Sequence, residues 1–447
     1  MSRAPLPGFR DFYPEEFAQR SHIMRVWRDV AHRFAFSEYD APPLEPLELY
    51  TRKSGDEIVG QLYAFTDKGD RAVALRPEMT PSLARMVGAR ANALRKPVRW
   101  FSIPQLFRYE RAQRGRLREH FQLNVDIVGE ADVTADAELV AVAIEIMRAF
   151  GLSHQDVRVR VSDRRLLQGW LEALGISGEA MPAVFAVIDK VDRVPVEVTR
   201  EKLVAAGASA KACEAIAGVA SIRFDALAGA LEGFAGGAYN DHVEEFSRFE
   251  RYVRALTGDG DRWLQFDLSI VRGLAYYTGI VFELFDARGE LRAICGGGRY
   301  DSLLGALGGA DLPALGFGMG DVVLGELLKA RGLMPGLAMG PDFWVIGSDR
   351  QGADPAMRVA AELRAKGFAV EYALRPQKPD KQHKAAQSAG ARYVLQLHEE
   401  FGDNRVVSVR EARPATGRRS LLEFLSGADV ALDRVIEAAA AHRSVVF

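Results

Sequence analysis

Two cysteines, Cys213 and Cys295, are all that the 447-residue chain holds. They form neither a CxxC pair nor metal-finger spacing, which excludes a disulfide scaffold and a cysteine-built zinc site and points to a reducing compartment. The eight histidines make no HExxH. No apolar run approaches the ~20 residues of a membrane span. The opening MSRAPLPGFRDFYPEE lacks the apolar stretch of a secretory leader. A soluble cytoplasmic chain without a membrane partner is the expectation. An excess of one charge is missing too: Lys+Arg 58 against Asp+Glu 60 leaves −2, so any nucleic-acid contact must come from local patches. No Gly-Lys dipeptide occurs, which excludes a Walker A loop. GFGMGD and CGGGRYD are glycine-rich without supplying GxGxxG after a parallel strand.

The apolar content, 48%, in a chain this long predicts two or three domains. Pro14, Glu15 and Glu16 open a helix whose core face carries Ile23, Val26, Trp27, Val30 and Phe34. Residues 62–77 predict two strands around an Asp67–Asp70 turn, followed by Thr80 as a helix N-cap before Pro81. Residues from about 155 to 260 turn alanine-rich and predict a helical insertion or connecting unit. Residues 276–301 predict a second hairpin, and LPALGFGMGDVVLGELL a glycine-rich strand running into a helix. A Gly/Pro-rich linker at 331–341 closes a first domain, 1–330. From 342 to 447 strands and helices alternate, as in a parallel-sheet unit.

The densest chemistry lies in FRYERAQRGRLREHFQLNVD, residues 107–126, with arginines at 108, 111, 114, 116 and 118. After it, Phe121, Leu123, Val125 and Ile127 alternate with Gln122, Asn124 and Asp126, the period of a strand with one buried and one polar face. With VRWFSIPQLFRYE before it, the segment predicts an antiparallel hairpin whose arginines crowd the loop and one face. A guanidinium fork bonds two phosphate oxygens at once and stays charged. An isolated arginine-rich hairpin tip is as often merely a solvated surface.

The flanking segments decide between the two. LRPEMTPS (75–82), the arginine hairpin, and SIVRGLAYYTGIVFE with GGGRYD together resemble the histidyl-tRNA synthetases, a family of class II aminoacyl-tRNA synthetases, over residues from about 5 to 435. APPLEPLELYTR resembles the first class signature, with Pro43 at the dimer-interface proline. The arginine hairpin resembles the second, and RGLAYYTG the histidine-binding signature. The tail from 342 is similar to the family's anticodon-binding domain.

The resemblance implies an α+β fold: a class II synthetase-like antiparallel sheet flanked by helices, a helical insertion, and a C-terminal anticodon-binding-like α/β domain. It implies a homodimeric ligase that activates histidine with ATP and transfers it to tRNA(His). By position, Arg108 and Arg272 would hold the α-phosphate as the catalytic pair. Arg108, Glu110, Arg116, Arg118 and Arg299 would contact ATP. Glu78, Thr80 and Gln122 would receive the histidine ammonium, and Asp126, Tyr276 and Tyr277 the imidazole. Arg111 and Gln113 would meet the tRNA acceptor end. Mg²⁺ is expected with the ATP, with no dedicated protein cage. Three positions depart from the pattern: Ala275 where Asp is usual, Asp126 where Glu is usual, and Val323 where the third signature carries its arginine. A catalytically silent histidine-sensing paralogue, like the regulatory subunit of ATP phosphoribosyltransferase, or a tRNA-binding module are the alternative outcomes.

Overall fold

The computed structural model describes residues 4–51, 60–110, 115–176, 178–191, 194–271, 276–307, 310–336, 340–347, 354–398, 401, 405–413, 418–426 and 429–446. It divides into two compact units, Met1–Pro335 and Gly336–Phe447.

The first unit is built on a nine-stranded sheet. Its order runs Ser37–Glu38, Val98–Ser102, Glu119–Val128, Ala314–Gly320, Cys295–Arg299, Ile280–Asp286, Val157–Asp163 and Leu264–Phe266, with Gln105–Phe107 pairing beside Glu119–Val128. The interior pairings are antiparallel, and the two outermost are parallel. Period-2 alternation gives the sheet two different faces. One presents Leu123, Val125, Ile127, Leu315, Phe317, Met319, Val159 and Val161 to a single apolar core shared with helices Pro14–Arg33, Thr134–Ala149 and Asp321–Ala330. Trp27 and Val30 are fully buried there, each worth roughly 1.5–3 kcal/mol on an area basis. The opposite face carries a smaller core of Val98, Val128, Tyr277, Val281 and Tyr300 against helix Thr80–Arg90.

The Asp67 turn joins Ala64–Thr66 to Ala72–Leu75 in a separate three-stranded sheet, with Asp67 Oδ1 accepting from the backbone N–H of Gly69 and Arg71. The helical unit begins at Arg164 rather than near 155. VRVRVSD is a sheet strand with alternating valines inside, and Asp163 then caps the following helix by accepting from Arg165 N. Thr80 is not a side-chain cap: the helix already includes it, and Met79 precedes it without a side-chain bond.

The second unit is a five-stranded sheet in which Val370–Tyr372, Phe343–Ile346 and Tyr393–Leu397 run parallel and Val406–Glu411 and Asp429–Ala431 add antiparallel. Helices Asp354–Ala365 and Pro379–Ser388 supply the crossovers. A core of Phe343, Val359, Leu363, Tyr393, Leu395 and Ile436 holds it together.

Candidate active site

The site begins with one strand. On Glu119–Val128, Gln122, Asn124 and Asp126 point away from the helix-backed core. The register places Gly320, Gly318 and Gly316 opposite them, and Gly296 and Gly298 one strand further on. Gly316 and Gly318 are required by space. A Cβ on Gly316 would lie 2.0 Å from Asp126 Oδ1, and one on Gly318 2.7 Å from Gln122 Cδ. Their missing side chains open a trough over the centre of the sheet. The polar face is therefore buried rather than solvated: Asn124 is 7% and Asp126 5% exposed.

The trough holds two adjoining cavities that share Arg108, Gln122, Gly296 and Gly318 as walls. Glu78, Thr80, Asn124, Asp126, Tyr276, Tyr277 and Tyr300 line the inner one, of about 80 Å³. At its floor Tyr300 Oη donates to Asp126 Oδ1 at 2.5 Å. Burial pushes the Asp126 carboxyl up to about 7, the tyrosine hydrogen bond only partly opposing it. The Tyr300 phenol, buried and facing that carboxylate, is pushed well above its ordinary value and stays a proton donor. Tyr276 lies over Tyr300 and beside Tyr277, with centroids 5.8 and 5.0 Å away, and its hydroxyl donates to buried Glu78 at 3.4 Å. One end of the inner cavity thus presents a carboxylate and an amide, the other a carboxyl–phenol pair. That suits a small molecule with a cationic amine and a ring bearing N–H groups.

Arg108, Glu110, Gly115, Arg116, Leu117, His120, Ala293, Ile294, Val322 and Val323 are among the walls of the outer cavity, of about 220 Å³. Arg108 stands between the two, its Nε anchored on the Pro77 carbonyl at 3.0 Å and its backbone N–H donating to Arg118 O at 2.9 Å. Arg116 is held by Glu110, one contact being Nη2 to Oε1 at 2.8 Å. Burial first, and then Arg108 and Arg10, push the His120 ring down to about 3, so it stays neutral beside the arginines.

Glu78, Thr80, Arg108, Glu110, Arg116, Gln122, Asp126, Tyr276 and Tyr277 are thus gathered on the two cavities. Arg118 is not. Its guanidinium stacks 4.2 Å over the Tyr109 ring and bonds the Glu110 carbonyl, while its aliphatic stem packs on Gly8. Arg299 is the larger correction, because strand parity sends it to the helix side of the sheet. There it is buried in an ion pair with Asp136, bonds the Glu130 carbonyl at 3.0 Å and meets Asp301 at 3.3 Å. It faces away from both cavities. Arg272, Arg111, Gln113 and Ala275 lie outside the described residues.

Tyr300, Asn124, His120 and the glycines at 316 and 318 line the site without having been singled out. A signal existed for Asn124, which shares the parity of Gln122 and Asp126. For Tyr300 the signal was its place just past the glycine strand Cys295–Arg299, one strand beyond the one that pairs with Asp126.

An antiparallel sheet with this strand order, carrying an arginine hairpin and a glycine-floored double cavity on one face, is a class II aminoacyl-tRNA synthetase scaffold. The profile described as Histidyl-tRNA synthetase matches residues 8–320, and that described as Anticodon binding domain matches 344–437. The chain is 45% identical to the histidine–tRNA ligase of Opitutus terrae over 412 residues, 92% of this chain and 94% of that protein. It is 41% identical to the chloroplastic/mitochondrial histidine–tRNA ligase of Arabidopsis thaliana, over 91% of this chain and 82% of that one. In fold it is similar to the crystal structure of histidyl-tRNA synthetase from Nostoc sp. PCC 7120, with a TM-score of 0.81 at 24% identity over 99% of this chain and all of that one. The chain belongs to the histidyl-tRNA synthetase family.

Proposed function

We propose that this protein activates histidine with ATP to histidyl-adenylate and then transfers the histidyl group to tRNA(His). The observation that carries this is the shared wall: Arg108 and Gln122 border both a polar inner cavity and an arginine-bearing outer one, so an amino-acid carboxylate and a nucleotide phosphate would meet beside Arg108.

In the inner cavity Glu78, Thr80 and Gln122 take the α-ammonium. Asp126 with Tyr277 and Tyr276 takes the imidazole, and Tyr300 orients Asp126. A site that hydrogen-bonds both ring nitrogens rejects apolar analogues strongly, because its own buried polar groups would otherwise be left unpaired. In the outer cavity Arg108 grips the α-phosphate together with Arg272, while Glu110 and Arg116 form the nucleotide wall. Arg111 and Gln113 meet the acceptor end of tRNA. Mg²⁺ travels with ATP as part of the substrate.

The histidine carboxylate oxygen attacks the α-phosphorus, a P–O bond to that oxygen forms, and the bond to the β-phosphate oxygen breaks to release pyrophosphate. The ribose hydroxyl of the terminal adenosine then attacks the acyl carbon, and AMP leaves. Positioning and charge neutralisation carry both steps, without a nucleophile from the protein. The protein acts in the cytoplasm as a homodimer, which light scattering at micromolar concentration tests. Among the described residues no helix is long and apolar enough to cross a membrane.

Histidine-dependent exchange of labelled pyrophosphate into ATP, followed by charging of tRNA(His), tests the proposal. Histidine binding without exchange would instead mark a sensor. Names of ligases on relatives spanning nine-tenths of the chain, with an anticodon-binding profile at its C-terminal end, favour the enzyme.

A further inference from the structure

Among the described residues, the outer cavity has a charge deficit. A nucleoside triphosphate extending outward from Arg108 brings several negative charges, and bound phosphates are normally met by guanidinium or ammonium groups. Of the arginines expected there, Arg118 is stacked on Tyr109, Arg299 is on the other face of the sheet, and Arg116 already faces the Glu110 carboxylate. Val323, on the first turn of helix Asp321–Ala330, contributes only an apolar wall.

Among the described residues, one further arginine has its stem beside that wall. Gly115 occupies a left-handed turn, φ +72°, at the rim of the cavity. A Cβ placed on it would lie 3.5 Å from Val323 Cγ2 and 3.8 Å from Arg292 Cδ. Val323 and the Arg292 stem therefore converge on the same point of the rim. Arg292 is solvent-exposed, and Ala293, Ile294, Cys295 and Gly296, which follow it without a break, all line the cavity. The Gly320 N–H donates to the Ile294 carbonyl at 3.4 Å, tying this segment to the start of the Val323 helix. A cation at Arg292 is carried by the adjoining hairpin instead of the helix, and its stem lies beside the same rim.

We infer that Arg292 is the residue that binds the outer phosphates of ATP in this chain, doing from the hairpin what Val323 cannot do from the helix. This rests on the outer cavity being a nucleotide site, but not on turnover. Its test is therefore direct binding of ATP and AMP to the full-length protein by calorimetry, since AMP lacks the outer phosphates.

Arg292→Ala is expected to weaken ATP about tenfold or more, the scale of one charge-assisted contact, and to leave AMP and histidine affinity within twofold. Arg292→Lys, which keeps the charge but loses the fork, should fall between the two. Unchanged ATP affinity in Arg292→Ala overturns the inference, and so does an equal loss of ATP and AMP, which would mark local damage. A wild-type protein that binds ATP with this pattern but shows no pyrophosphate exchange refutes the ligase activity while leaving the Arg292 assignment standing.

Discussion

Tyr300 and Asp126, 174 residues apart in sequence, meet through a 2.5 Å hydrogen bond at the floor of the inner cavity, where the phenol donates and the carboxylate accepts. The bond favours the ionised carboxylate, while burial, the larger effect, favours the neutral acid and leaves the group near 7.

Removing the phenol should therefore move that balance further toward the acid. In Tyr300→Phe the Asp126 carboxyl ionises at higher pH, so the rise in kcat/KM for histidine that accompanies its ionisation shifts to the alkaline side of the wild-type profile. Pyrophosphate exchange measured from pH 6 to 9 reads the shift. Asp126→Asn should flatten this limb, leaving only the titration of free histidine itself. A Tyr300→Phe profile that overlays the wild type would show that the hydrogen bond does not govern ionisation.

The glycine columns make a second, separable prediction. A Cβ at 318 meets the end of the Gln122 side chain, which can swing aside, whereas a Cβ at 316 meets both Asp126 Oδ1 and, at 2.9 Å, the Val125 carbonyl oxygen of the neighbouring strand. Gly318→Ala is expected to keep its melting temperature within a few degrees and raise the KM for histidine. Gly316→Ala should lose roughly 1–3 kcal/mol of stability as well, the usual cost of overpacking. Thermal melts and exchange kinetics on the same preparations distinguish them. Equal stabilities would mean that the sheet relaxes around either methyl group.

Strand parity was the most legible part of this site. The alternation from Phe121 onward sorts Gln122, Asn124 and Asp126 onto one face before any coordinate is known, and the Asp67 turn and the βα alternation of the tail are equally plain. Parity also bore on Arg299. In CGGGRYD, with Gly296 lining both cavities, residue 299, of opposite parity, must face the helices. Recognising this requires knowing which face of that strand is the open one, which is tertiary information. VRVRVSD was obscured by the helical composition beyond it. The Arg118 stack on Tyr109 depends on the N-terminal segment crossing at Gly8, a contact across 110 residues that local spacing does not encode.

At the other end of the inner cavity, Glu78 is buried and contacts Tyr276 Oη at 3.4 Å. Glu78→Gln preserves shape and an acceptor for that phenol while removing the charge that would face an ammonium group. The KM for histidine should rise roughly 10–100-fold, the range of a charge-assisted hydrogen bond, with ATP binding unchanged. Arg108→Ala should instead act on turnover, lowering kcat of exchange by about 10²–10³ as loss of one preorganised donor at a reacting oxyanion does elsewhere. A Glu78→Gln enzyme with wild-type KM for histidine would move the ammonium site elsewhere.

Arg299 belongs to stability rather than to the nucleotide. The residue is 6% exposed, and its guanidinium neutralises Asp136, itself 4% exposed on helix Thr134–Ala149, across the sheet–helix layer. Burial lifts the Asp136 carboxyl to about 6 even with Arg299 pulling it down. Arg299→Ala leaves that carboxylate uncompensated and should cost about 3–5 kcal/mol at pH 8. The sign with pH follows from the raised carboxyl. In the variant Asp136 prefers to stay protonated in the folded state, so folding is favoured below the carboxyl's ordinary unfolded value of 3.8 and loses stability as pH rises through the folded one. The variant should accordingly melt closer to wild type at pH 5 than at pH 8. Replacing both partners with apolar residues, Arg299→Met with Asp136→Leu, should recover much of the loss. ATP affinity of the folded fraction should stay at the wild-type value throughout. A selective loss of ATP binding without a change in melting temperature would return Arg299 to the nucleotide site and contradict its placement on the helix side of the sheet.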